Sequence, residues 1–178
     1  MIRTPASAWF ASALLAALLA GCATRPPEPV SPEFDAPAAV AAIRSAGTAA
    51  DAELVVKPLA DPQVDDLRAQ AARLHAQGDD AGAAEALDQA LAISPGDPLL
   101  LQERAEAALL LHQVGAAERL VQRAITIGTE VGPLCRRHWE TLAQVASVRA
   151  MTAVAALSTV TEARARREAC TVAAPPRY

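Results

Sequence analysis

The chain has 178 residues, room for one ordinary domain with accessory segments. Apolar residues make up 52% of it and aromatics only 3%; much of the apolar share is alanine, so the composition points to closely packed helices and away from β-sandwiches and barrels, whose strands favour aromatic and β-branched residues. A formal net charge of −4 without any long basic run argues against a nucleic-acid-binding surface, where neutralised phosphates dominate affinity.

At the N-terminus, Arg3 precedes an apolar run, Ala8 to Ala20. The run has the length of a signal-peptide core and is short for a bilayer-crossing helix. It ends in Leu19-Ala20-Gly21-Cys22. This tetrapeptide resembles the bacterial lipobox: an aliphatic residue, two small residues, then cysteine. The resemblance implies a signal peptide over 1–21 and a Cys22 whose thiol carries diacylglycerol. Its new amino group is then acylated, with palmitate as the expected chain type. Several acyl chains on one residue, at roughly 0.8 kcal/mol per buried methylene, make a durable anchor. Ala23 stands where some relatives carry an inner-membrane retention aspartate, so the resemblance implies the periplasmic face of the outer membrane.

Residues 22–60 read as a tether. Prolines at 26, 27, 29, 32 and 37 keep Thr24 to Pro37 extended, a reach of roughly 40 Å at about 3.1 Å per residue. Ala38 to Val56 is alanine-rich and reads as one loose helix broken near Gly47. It either stands free in the tether or docks on the domain that follows.

The domain is expected over 61–168, with 169–178 as a tail. Asp61-Pro62 and Asp97-Pro98 each set an N-cap carboxylate before a proline at the first helical position, and Gly132-Pro133 repeats the proline. These starts lie 36 and 35 residues apart, and Gln89-Ala90-Leu91-Ala92-Ile93 matches Arg123-Ala124-Ile125-Thr126-Ile127 at an offset of 34. Self-similarity at this period marks a stacked array of helix pairs. The spacing predicts helices over Pro62–Gln77 and Ala81–Ile93, separated by Gly78-Asp79-Asp80. It predicts two more over Pro98–His112 and Ala116–Ile127, with a turn near Val114-Gly115.

In this frame Val64, Leu67, Ala71, Leu74, Ala83, Leu87, Ala90 and Pro95 resemble the large–small pattern of the tetratricopeptide repeat. A second unit keeps Leu101, Ala105, Ala117, Val121 and Ala124. It departs at Ala108, where a larger residue is usual, and at Thr129, where proline is usual. The resemblance implies an all-α fold, a short α-solenoid of antiparallel helix pairs.

No Gly or Pro interrupts Pro133 to Arg167. One helix of about 35 residues would run near 50 Å; a third pair would turn near 147–152, with Ser147 as an N-cap. Once Cys22 is lipidated, Cys135 and Cys170 remain as an even pair in an oxidising compartment. A disulfide between them requires the hairpin, because bridged Cα atoms lie about 4.4–6.8 Å apart. The hairpin and the bridge are the expectation.

His75, His112 and His138 are scattered without metal-ligand spacing, and phosphate-binding or nucleophile motifs are missing. We expect no catalysis, metal or cofactor. The basic clusters Arg136-Arg137 and Arg164, Arg166, Arg167 read as solvated helix surface, the second favourable near a helix C-terminus. Trp139 reads as core packing for the last pair.

In the tetratricopeptide family the first helix of each pair lines a concave groove for a peptide or helix. By position the resemblance implies Arg68, Ala72 and His75 from the first unit and Gln102, Glu106 and Leu109 from the second. A third unit adds Arg136, Glu140 and Ala143. Ala72 stands where a carboxylate clamp would need asparagine. The expected function is a membrane-anchored, periplasm-facing scaffold in envelope assembly, with a protein partner and a tendency to self-associate. The alternative is a passive spacer between membrane and cell wall.

Overall fold

The structure, a computed structural model, is described for residues 34–49, 53 and 61–171. The expected signal peptide, Cys22, the linker as far as 33 and the tail from 172 lie outside the described residues.

Seven helices and no strand appear among the described residues: α1 (Ala36–Ala46), α2 (Pro62–Ala76), α3 (Asp80–Ile93), α4 (Pro98–Leu110), α5 (Val114–Ile127), α6 (Pro133–Ala150) and α7 (Ala156–Ala169). None of them is long and apolar enough to cross a membrane. The all-α class is as expected.

Local chemistry sets most of the boundaries. Asp35, Asp61 and Asp97 cap α1, α2 and α4, each accepting from a backbone N–H in the first turn, with a proline just inside. Gly78 closes α2 with φ +82. Its N–H donates to the His75 carbonyl at 2.9 Å, and the Asp79 N–H donates to the Leu74 carbonyl at 2.9 Å. This is a Schellman turn, which needs a left-handed residue and takes glycine at least cost. Asp79 then caps α3 by accepting from Gly82 N–H at 2.8 Å.

The turn between α4 and α5 has the same bonds, with His112 at φ 57 in the left-handed position. The expected turn at Val114-Gly115 is therefore two residues late, and Gly115 lies inside α5. The same kind of correction applies to the last segment. Pro133 to Arg167 is a hairpin, as expected, but it turns at residues 151–155. Ser147 caps nothing: it sits within α6 and its Oγ donates to the Ala143 carbonyl at 2.8 Å.

Consecutive helices pack on one another. The closest associations are α2 with α3, α4 with α5 and α6 with α7; α3 with α4 and α5 with α6 join these pairs. Small residues line the seams, and Ala71, Ala83, Ala90, Ala105, Ala117 and Ala124 are all buried. A first core of Val64, Leu87, Leu100 and the alanines of α3 holds α2, α3 and α4 together. A second joins Val40 and Ile43 of α1 to Ala108 and Leu109 of α4, Ala117 of α5 and Val145 of α6.

Helix α1 is thus part of the folded body. Ala36, Ala39, Val40 and Ile43 form one helical stripe, and that stripe is buried against α6 and α4. The compact unit begins at Phe34. Pro37, expected within the extended linker, instead lies in the first turn of α1.

Candidate functional site

The candidate site is a cavity of about 620 Å³ beside α1, walled by α2, α3 and α4, with Arg137 of α6 at its edge. Ala71, Ala72, Ala83, Leu87, Ala107 and Leu110 give it apolar walls; Arg44, Arg68, His75, Asp80, Glu103, Glu106 and Arg137 give it charged ones.

The charged groups form two sets. Arg68 donates to Glu103 through Nε at 2.8 Å and Nη2 at 2.6 Å, a two-pronged contact that raises the guanidinium pKa above its usual value. Glu106, 1% exposed, anchors the other set. Arg137 donates to it through Nε at 2.6 Å and Nη2 at 2.8 Å, Arg44 through Nε at 3.0 Å, and Gln102 through Nε2 at 2.8 Å. Arg44 Nη1 also lies 3.3 Å from His75 Nε2, and His75 Nδ1 faces Asp80 at 2.5 Å.

Behind Glu106 the network enters the α4–α6 seam. Gln102 Nε2 donates to Thr141 Oγ1 at 2.7 Å, and Gln102 Oε1 lies 2.8 Å from His138 Nδ1. Because Gln102 presents its acceptor oxygen there, His138 carries its proton on Nδ1. Its Nε2 is buried without a partner. Burial, then the neighbouring Arg137 charge, lowers the His138 pKa to about 4, against a smaller opposing pull from Glu106. Gly128 belongs to this packing, since a Cβ there would lie 3.1 Å from His138 Nε2.

Of the residues expected to line a groove, the structure brings Arg68, Ala72, His75 and Glu106 together at the cavity. The others are elsewhere, and the expectation is corrected for each. Gln102 and Leu109 are 0% exposed, the first inside the polar seam and the second in the core beneath α1. Glu140 is 4% exposed, held between α6 and α7 by Arg167 Nη1 at 2.5 Å and Gln144 Nε2 at 2.6 Å. Ala143 is buried as well. Arg136 grips the end of α1 and the segment beyond it. Its guanidinium donates to the Ala46 and Thr48 carbonyls at 3.0 Å each and to both oxygens of Glu53 at 2.9 and 2.7 Å. Helix α1 covers Leu109 and engages Arg136, whereas Gln102 is buried in the α4–α6 seam and Glu140 against α7.

Arg136, Arg137 and Arg167 are therefore internal clamps rather than solvated charges. Trp139 is half-buried, with the Arg166 guanidinium 5.8 Å from its ring centre. Cys135 and Cys170 are bridged, with Cα atoms 5.8 Å apart. Sequence reasoning does not single out Arg44, Asp80, Glu103 or Arg137 as site residues. Only Asp80 leaves a local signal: it lies just past the Gly78 turn, which folds it back towards His75.

Among the described residues, no group of His, Cys, Asp and Glu is arranged to hold a metal ion. Comparison with protein-family models, with curated proteins and with solved structures finds no match.

Proposed function

We propose that this chain is a lipid-anchored, periplasm-facing scaffold of the outer membrane, a short α-solenoid of tetratricopeptide-like pairs that binds a protein partner. The observation that carries the reading is the cavity left open between α1 and α2. Small apolar residues form part of its wall, and its guanidinium and carboxylate groups are already paired. Such a surface accepts apolar side chains of a peptide or helix without stranding a charge. It is poorly suited to acid–base chemistry, since Glu106 is engaged by two arginines and Gln102.

A photo-crosslinking residue at Ala72, on the exposed face of α2 beside the cavity, tests the reading in cells producing the full chain. Mass spectrometry of the products should recover a second protein, and Ala69→Arg, on the same lining of the cavity, should abolish that adduct. Recovery of the chain alone, as a monomer, overturns the scaffold. The mass of the mature polypeptide tests the anchor separately, because an intact unmodified amino end excludes lipid on Cys22.

One observation favours the second reading, a passive spacer between membrane and cell wall. Helix α1 already occupies the ground over α4 and α6. Binding to purified peptidoglycan together with an empty Ala72 crosslink would select it.

A further inference from the structure

The α6–α7 turn has a surface unlike the rest of the described unit. From Ala150 to Thr161 no side chain carries a charge. Within that stretch Met151, Val154 and Leu157 are 50%, 78% and 53% exposed, and Val154 is the most exposed large apolar residue described. An apolar, uncharged turn projecting into water is an unfavourable surface unless something covers it. The other exposed apolar side chains are differently placed: Val131 follows Glu130, and Ile93 and Ile127 each end a helix just before a turn.

The point where the described chain begins bears on what covers the turn. Phe34, where the described unit begins, shares a shallow cavity with Met151, Val148 and Ser147. Its ring meets His112 of the α4–α5 turn edge-on, with centroids 6.2 Å apart. The described unit therefore begins, at Phe34, at the end that carries the uncharged turn. Cys22 precedes Phe34 by 12 residues, a span of at most about 40 Å when fully extended. Arg149, at the root of the turn, is 52% exposed beside its partner Glu118, a suitable cation for the headgroup level.

We propose that the α6–α7 turn is a membrane-docking tip. Met151, Val154 and Leu157 enter the boundary between headgroups and acyl chains of the same bilayer that holds Cys22. This rests on the lipid-anchor reading of Cys22, and the test separates the two. Docking at two points, a lipidated cysteine and an apolar turn, fixes the orientation of the body as a single point of attachment does not. It leaves the Gly132 end of α6 facing away from the lipid.

The experiment uses the full chain, processed in a lipoprotein-competent host and reconstituted in phosphatidylethanolamine–phosphatidylglycerol vesicles with brominated acyl chains. Tryptophan is introduced by Val154→Trp at the tip or by Val131→Trp near the opposite end of α6, and read as a difference from the wild-type chain. The 18 residues of α6 separate the two ends by about 27 Å. Interfacial burial reaches about 5–10 Å, so Val154→Trp should lose about half of its emission to bromine and Val131→Trp about a tenth or less.

Equal quenching at both positions, or none at either, overturns the tip. A blue-shifted Val154→Trp emission that appears without vesicles and grows with protein concentration also overturns it, because a second copy is then the occupant. Intact mass reports the anchor independently. A lipidated chain with an unquenched tip leaves Cys22 standing and removes this proposal; an unlipidated chain overturns the anchor and two-point docking with it, even where the tip alone is quenched.

Discussion

The first and last helix pairs reach the same hairpin shape by different physics. In α2–α3 the seam is apolar: Val64, Ala71, Ala83, Leu87 and Ala90 are buried, with Leu67 and Leu74 packed against them. In α6–α7 the second helix buries only Val160 and Ala163, so apolar area alone holds it weakly. Its attachment comes from other contacts. The Cys135–Cys170 bridge ties its end to the start of α6, the Gly132 N–H donates to the Cys170 carbonyl at 2.8 Å, and Arg167 reaches the buried Glu140. Among the described residues α7 packs on α6 alone, and a covalent link and ion pairs hold it there.

The contrast breaks most readily at the disulfide. Cys135 and Cys170 are 35 residues apart, so removing the bridge should lower stability by roughly 4 kcal/mol in the chain-entropy treatment. Cys135→Ser with Cys170→Ser, or reduction of the native chain, should shift the denaturant midpoint accordingly. Amide exchange adds the sharper test: α7 should lose protection first while α2 and α3 keep theirs. Equal loss in both pairs would mean that the apolar seam is no more self-sufficient than the stapled one.

The α4–α6 seam, between those extremes, depends on buried polar groups. Glu106→Ala leaves Arg137 without its acceptor and frees Arg44 from α4. Breaking a buried ion pair costs about 3–5 kcal/mol, and because Arg44 is half-exposed an effect near the lower end, about 3 kcal/mol, is expected. Thermal unfolding of the variant measures it, and a change below about 1 kcal/mol would show the network to be dispensable.

His138 gives the next effect, and its sign follows from the proton count. The unfolded histidine binds its proton below its ordinary value of 6.5, whereas the buried one resists until about 4. Between those values the unfolded state holds more protons, so stability is full above about pH 6.5 and falls as pH drops towards 4. The loss is expected to be about 2–3 kcal/mol. His138→Gln should flatten the upper part of that curve, between about pH 6.5 and 5.5, which lies well above the ordinary carboxylate range.

How much of this was legible in the sequence follows the same division. The Asp-Pro starts, the Gly78 stop and the small residues of the first two units report on local geometry, and each is where the pattern puts it. The last turn left no such mark, because residues 151–155 contain no Gly or Pro and Ser147 offered a plausible cap that its own helix absorbs. The site was less legible still. Arg44 and Glu106 are 62 residues apart and Arg137 and Glu106 are 31 apart, and no spacing rule encodes which helix faces meet. The stripe Ala36, Ala39, Val40, Ile43 announces that α1 buries one face; it does not say against what. That unknown moved Leu109 and Arg136 from an expected open groove into a core and a clamp, while the α4–α6 and α6–α7 seams took Gln102 and Glu140.

The smallest effects come from the two Schellman turns, which sharpen the comparison because their hydrogen bonds are alike and their left-handed residues differ. A Cβ added at Gly78 would meet no atom within 4 Å, so Gly78→Ala meets only the backbone penalty of φ +82, about 1 kcal/mol destabilising. His112→Gly removes the same kind of penalty at φ 57 and should stabilise. It also deletes the edge contact with Phe34, which anchors the start of α1 at 6.2 Å between ring centres. Aromatic pairs contribute about 0.5–1.5 kcal/mol, so the two changes should nearly cancel and leave stability within about 0.5 kcal/mol of the parent. Chemical denaturation of both variants checks this. A clear gain in His112→Gly would mean that Phe34 holds α1 through the core beneath it rather than through the ring of His112.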